Sequence, residues 1–297
     1  MTISVIDSAA AMTAILDGEE GSRADGVRAM WSPMRDMYRF VPGRLDLEQV
    51  HRQNFGFPVV GATDVVRGAV DRLAEHDAWN RLSEALRRGA DTIAAAVPGV
   101  VVPDLTVLLV VGDPTNAHFM DEVRGLSAFG GISGFIVITV WPTDVVLDRL
   151  EAIAVHELHH NVRYAPGGIV WDPQTVTVGE QVVAEGLADH FAVELYGDLG
   201  YTHFVSQSTR DDYAVVAKVA SGLDVTGMQN FTAWIHGDSA ASLFGTAPVG
   251  VPTGAGYAAG ERIVSAYLEA NAVTAAQSVH IDAGEVIGFA RETMLPR

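Results

Sequence analysis

Cysteine is absent from all 297 residues. Disulfides and thiolate metal sites are therefore excluded, and any metal this chain holds must sit on imidazole and carboxylate. Positive charge is scarce as well: 19 Lys and Arg stand against 37 Asp and Glu, for a formal net charge of −18. At long range that field repels phosphate backbones and anionic headgroups, so the expected partners include no nucleic acid and no membrane surface. No basic residue precedes Arg23 and Asp7 interrupts the short apolar start, which is not the layout of an export signal. Long apolar spans are missing too. The uncharged runs 125–143 and 239–260 are broken by Gly, Ser and Pro, so neither suits a bilayer, and a cytoplasmic protein is expected.

What is present is enough apolar material for a core. At 48% hydrophobic and 19% charged the chain is too apolar to stay disordered, and its length suits one large domain or two smaller ones. Residues 1–98 read as helical. The clearest stretch starts near Asp77, where Leu82, Leu86, Ala90, Ile93 and Val97 recur at helical spacing until Pro98. Pro33, Pro42, Gly43, Gly56, Pro58 and Gly61 punctuate the part before it.

From Val100 the character changes. Leu105 to Val111 and Gly134 to Val140 are β-branched and leucine runs, closed by Gly112-Asp113-Pro114 and by Trp141-Pro142, and predict two strands. Thr143 or Asp144 then caps a helix reaching about Arg163, which Pro166-Gly167-Gly168 ends. A second helix is expected over about Gly179 to Tyr196, with others near 211–220, 260–270 and 282–293. Residues 247–260 read as a Gly, Pro and Ala loop leading into Tyr257. The expected fold is α+β: a helical region over 1–98, a small mixed sheet and helix over 99–165, and a mostly helical lobe over 166–297. The last two would form one catalytic unit.

The helix from Asp144 contains His156-Glu157-Leu158-His159-His160. Two histidines four apart project from one helical face, one turn above the other, at the separation that holds a single Zn²⁺. Glu157 lies about 100° around the helix and points toward an attacking water, the position of a general base. Leu147, Ala154 and Leu158 give an apolar stripe opposite the pair. A surface helix with clustered histidines is the competing account, and His159, off the pair's bisector, reads as solvated or supporting. Ten histidines are present in all; His51, His76, His118, His203 and His280 stand isolated and read as surface or internally satisfied.

Catalytic zinc needs a third protein ligand. Arg163 and Pro166 occupy the positions where the metzincin pattern has Gly and His, so that class is excluded. The second helix offers Glu185-Gly186-Leu187-Ala188-Asp189, with Glu185 and Asp189 on one face and no side chain at Gly186. Glu185 is the expected third ligand. Asp189 would accept the free ring N–H of a ligating histidine and so fix its tautomer.

These residues resemble the gluzincin metallopeptidases, whose third ligand is a glutamate followed four residues later by an aspartate. More closely, 153–163, 182–191, Trp234-Ile235-His236-Gly237 and the segment from Gly256-Tyr257 to Ile263-Val264 resemble an uncharacterised bacterial family of predicted zinc-dependent proteases. The resemblance implies a zincin-like fold, metal on His156, His160 and Glu185, and Glu157 as catalytic base. Tyr257, or else His236 or Tyr213, would donate to a tetrahedral oxyanion, with simple packing the equal alternative for Tyr257. In such folds an extended peptide adds to the edge strand, for which Gly134 to Val140 is the natural choice, with Gly130, Gly131 and Gly134 permitting close backbone approach; an ordinary buried strand fits the same run equally well. A peptide or protein is the expected substrate. The alternatives are a metal-dependent peptide-binding module without activity and a zinc hydrolase of a small non-peptide amide.

Overall fold

The two apolar runs form the middle of a four-stranded sheet of order β1-β2-β4-β3. In the computed structural model, which describes residues 1–41 and 43–295 and so leaves Pro42 outside, β1 is Ile3–Val5, β2 Leu105–Val111, β3 Leu126–Phe129 and β4 Phe135–Val140. β2 and β4 run parallel, with Thr106 opposite Phe135 and Val111 opposite Val140. Each is buried along nearly its whole length on both faces. That is why they read as continuous Val, Ile and Leu runs and not as alternating ones.

Two strands were not predicted. β1 pairs in parallel with β2, and its three residues are too few to show a period ahead of the helix that follows. β3 is antiparallel to β4 and only four residues long. Its presence corrects the expected edge: the run ending at Val140 is flanked on both sides, and β3 is the edge strand beyond it.

The chain forms two compact units, Met1–Asp91 with Val102–Asn161, and Thr92–Val101 with the residues from Val162 onward. The first holds the sheet, α1 (Ser8–Asp17), α2 (Arg23–Trp31), α3 (Leu47–Gln53), α4 (Thr63–Glu75), most of α5 (Ala78–Ala96), α6 (Asp144–Leu147) and most of α7 (Leu150–Arg163). The grouping thus differs from a separate helical region over 1–98, because the amino-terminal segment is tied into the sheet. β1 is one of its strands, the buried Ser8 hydroxyl donates to the Leu109 carbonyl, and Trp79 Nε1 donates to Ser8 Oγ at 2.8 Å. The second unit is helical: α8 (Val178–Tyr196), α9 (Gln207–Asp211), α10 (Tyr213–Ala220), α11 (Asp238–Phe244), α12 (Ala255–Asn271) and α13 (Ala283–Thr293).

The helix expected from Thr143 to Arg163 is two helices. Thr143 Oγ1 accepts the Val146 N–H at 3.3 Å and starts α6, which lasts one turn. The break has an identifiable cause. Arg81 Nη2 donates to the Leu147 carbonyl at 2.7 Å while its guanidinium also grips Glu151, so a side chain occupies the acceptor that a continuous helix would use. Among the described residues no helix is long and apolar enough to cross a membrane.

Candidate metal centre

The helix α7, which carries His156 and His160, is buried on every side from Ala154 onward. Ala154, Val155, Leu158 and Val162 are fully inaccessible, but so are His159, Asn161 and Arg163. The apolar stripe of Leu147, Ala154 and Leu158 is buried as expected, and the burial of His159 corrects its solvated reading and leaves the supporting one. Close approach explains it. A Cβ at Gly89 of α5 would stand 2.8 Å from Leu158 and 3.0 Å from Val155, and one at Gly130 would stand 2.3 Å from the Glu157 carbonyl oxygen. Gly130 follows edge strand β3 directly, so the absent side chain lets the end of β3 reach the helix beside Glu157. Asn161 secures the same region: its amide donates to the carbonyls of Gly130 at 2.6 Å and Phe135 at 2.8 Å, and its oxygen accepts the Gly134 N–H at 2.7 Å. One buried side chain thus fixes the β3–β4 connection against α7. Gly134 itself is required by its left-handed φ of +95° and not by crowding.

His156 and His160 turn their Nε2 atoms toward each other at 3.2 Å, with rings 4.9 Å apart and inclined at 79°. Two nitrogens bound to zinc at about 2.0–2.1 Å with a tetrahedral angle stand roughly 3.3 Å apart. The imidazole pair therefore already has the spacing of one tetrahedral edge. His156, His160 and Glu185 each offer a ligand atom within 4.8 Å of the others, all three residues are buried, and they could hold one metal ion. Two imidazoles and a carboxylate, without thiolate, are a donor set that suits zinc and leaves a fourth position open.

The sequence around Glu185 shows how it is placed. Thr177 caps α8 by accepting the Glu180 N–H at 2.9 Å. At Gly186 a Cβ would stand 2.3 Å from the Gly260 carbonyl oxygen, and at Gly260 one would stand 2.3 Å from the Val182 carbonyl oxygen. The two glycines thus let α8 and α12 cross with their backbones touching next to Glu185. Gln181, one turn earlier on the same face, donates from Nε2 to Glu185 Oε1 at 2.6 Å. Asp189 is almost fully buried, and its Oδ1 accepts the Thr202 hydroxyl at 2.8 Å.

The residue that ends α7 does further work. Arg163 is fully buried and makes two parallel bonds of 2.8 Å to Glu180, while Nη1 donates to the Val279 and Ile281 carbonyls at 3.0 Å. Tyr164 OH also donates to Glu180, at 3.0 Å, and burial, then the Glu180 charge, hold its phenol well above the ordinary tyrosine range. Arg163 therefore ties the end of the His160 helix to the first turn of α8, which carries Glu185. Sequence reasoning used Arg163 only to exclude a class and passed over Asn161 and Gln181. The signals were slight: a polar residue directly after the second histidine, and a Gln four residues before Glu185.

The three candidate oxyanion donors fall in different settings. Tyr257 is not in a loop, as expected, but in the first turn of α12, one turn before Gly260. Its ring meets Phe204 edge-on at 5.4 Å and lies 6.0 Å from His236. The turn carrying His236 is held in place by Gly254, whose N–H donates to the His236 carbonyl at 3.0 Å. Tyr213 is largely exposed, with Arg262 lying over its ring. Tyr257 and His236 are thus neighbours, on and beside the helix that crosses α8 at Gly186, whereas Tyr213 faces solvent.

The chain is thus a mixed α+β protein with a buried His-His-Glu cluster that could hold a metal ion. The chain belongs to the family described as Predicted Zn-dependent protease (DUF2268), matched over residues 79–288. It is also 33% identical over 180 residues to the uncharacterized protein YjfC of Bacillus subtilis (strain 168), covering 60% of this chain and 58% of that one. The chain thus spans less than two thirds of that relative's length. No solved structure matches.

Proposed function

We propose that the chain is a gluzincin-like zinc peptidase with His156, His160 and Glu185 as ligands and Glu157 as general base and acid. The observation that carries the reading is the convergence of those three buried side chains, with the imidazole nitrogens at tetrahedral spacing. Zinc held there supplies Lewis-acid activation of water and of a substrate carbonyl. Glu157, next to His156, takes the proton of the attacking water and returns it to the leaving amine. Asp189, four residues beyond Glu185, orients a ligating imidazole, and Tyr257 donates to the developing oxyanion, with His236 at its side. The open edge of β3, which ends beside the Glu157 backbone, favours an extended peptide over a small amide, because a peptide can extend the sheet there.

The test is metal content and cleavage of a peptide library by wild type and Glu157→Gln. Both proteins should retain one zinc, and cleavage should fall about 10²–10⁴-fold in the variant. Equal cleavage by the two would remove Glu157 from the chemistry.

A further inference from the structure

The open edge of β3 has a definite hydrogen-bonding pattern. The Trp141 N–H donates to the Gly125 carbonyl at 2.7 Å, one step beyond the pair Leu126 and Val140. In an antiparallel ladder such bonded pairs recur at every second residue, so Ser127 and Phe129 bond inward to β4 and Ala128 turns its N–H and C=O outward. Among the described residues no bond outside the sheet reaches either group. Natural edge strands are guarded by charged side chains, proline or a bulge. β3 is short, but Leu126-Ser127-Ala128-Phe129 has none of these, and the chain carries no charge from Gly125 to Thr143.

Gly130 directs its Cβ position at the Glu157 carbonyl oxygen, so by alternation Phe129 projects from the other face of the sheet. Phe129 is 46% exposed, and its ring lies over Gly131, where a Cβ would stand 3.1 Å from it. An open aromatic thus sits between the outward backbone groups of Ala128 and the contact with the Glu157 backbone. We propose that Phe129 determines specificity: a peptide paired with Ala128 places one side chain beside the Phe129 ring, and aromatic or β-branched side chains are preferred there. The inference rests on the reading that an extended peptide adds to β3. Either strand direction puts that side chain on the Phe129 face, because an added strand shares the alternation of the sheet.

A randomised peptide library, cleaved by the zinc-loaded full chain and sequenced at its products, reads the preference. Wild type should enrich Phe, Tyr, Val and Ile over Ala by about 2–5-fold at one position near the scissile bond. Phe129→Ala should lose that enrichment and keep the preferences elsewhere. Phe129→Arg should replace it with Asp and Glu, since opposite charges pair across strands. Both changes fall on an exposed side chain, so both proteins should fold and hold zinc as wild type does. A role in folding alone would lower all cleavage evenly and leave the profile as it was. An unaltered profile in Phe129→Arg would overturn the inference while leaving the peptidase standing. Should the zinc-loaded wild type cleave nothing, the peptidase reading falls, and retention of the same library on wild type and Phe129→Arg decides the role of Phe129: a shift from aromatic to acidic residues sustains it, and equal profiles or no retention overturn it.

Discussion

Replacing Gly186 by alanine tests the helix crossing on which the Glu185 placement depends. Alanine is the better helix former by about 1 kcal/mol, so an unhindered interior site should gain stability. Gly186 is not unhindered. The new methyl would stand 2.3 Å from the Gly260 carbonyl oxygen and 2.7 Å from Val264, where ordinary contact is roughly 3.5 Å. The nearest obstacle is backbone, which has no rotamer to change, so α12 must retreat by about 1 Å along its contact with α8. Overpacking of this kind costs about 1–3 kcal/mol, and a rigid backbone obstacle belongs at the upper end. Set against the propensity gain, the net loss should be about 2 kcal/mol. Gly288 on α13 is the control, because a Cβ there meets nothing within 4 Å; Gly288→Ala should gain about 0.5–1 kcal/mol. Urea unfolding of the three metal-free proteins measures both effects. A Gly186→Ala protein as stable as wild type, or more so, would show that the two helices do not meet as described.

His51 gives a pH prediction. Trp31 Nε1 donates to its Nδ1 at 3.0 Å, its Nε2 meets the Phe57 carbonyl at 2.8 Å, and burial lowers its pKa from 6.5 to about 4. Because the folded state favours the neutral ring, the contribution is complete above pH 6.5 and is lost as pH falls from 6.5 toward 4. It reaches about 3 kcal/mol in all and about 2 kcal/mol by pH 5. His51→Gln keeps a donor and an acceptor without the titration, so metal-free unfolding at pH 7.5 and 5 should show a pH loss smaller by that amount; identical losses would refute it. Arg163→Met leaves the Glu180 carboxylate in a buried setting and should cost about 3–5 kcal/mol. The double variant Arg163→Met with Glu180→Met should lose less than Arg163→Met alone in the same unfolding assay. Zinc at about 100 times its dissociation constant should stabilise the chain by about 2.7 kcal/mol over the chelated form, and unchanged unfolding after chelation would count against a site present in the folded state.

The parts of the site that were legible in the sequence are those whose geometry follows from one helix alone. His156 and His160 share a face because of the helical period, and Glu185 and Asp189 do so for the same reason. Strands β2 and β4 were legible because strands buried on both faces have unbroken apolar runs. Asn161 and Gln181 were not. Asn161 is defined by carbonyls of Gly130 and Phe135, about thirty positions away in the chain, and Gln181 by the atom of Glu185 it engages, which spacing alone does not select. β3 is too short to carry a period of its own, and only its pairing with β4 makes it a strand.

The amino end of α12 shows how a packing requirement can disguise an element. Gly254-Ala255-Gly256-Tyr257-Ala258-Ala259-Gly260 reads as a loop because glycine is the weakest ordinary helix former. In the structure Gly254 supplies the left-handed residue that begins the helix, at φ +76°. Gly256 lies where a Cβ would stand 2.5 Å from the Ile235 Cα, and Gly260 where one would meet α8. Three glycines that lower intrinsic helicity are thus accounted for by one backbone conformation and two close approaches. Those approaches set Tyr257 beside His236 and set α12 against the helix that carries Glu185. The features that made the segment look unstructured are the ones that pack α12 against its neighbours, so restoring local propensity with alanines at 256 and 260 should weaken the protein, although each change favours the helix taken alone.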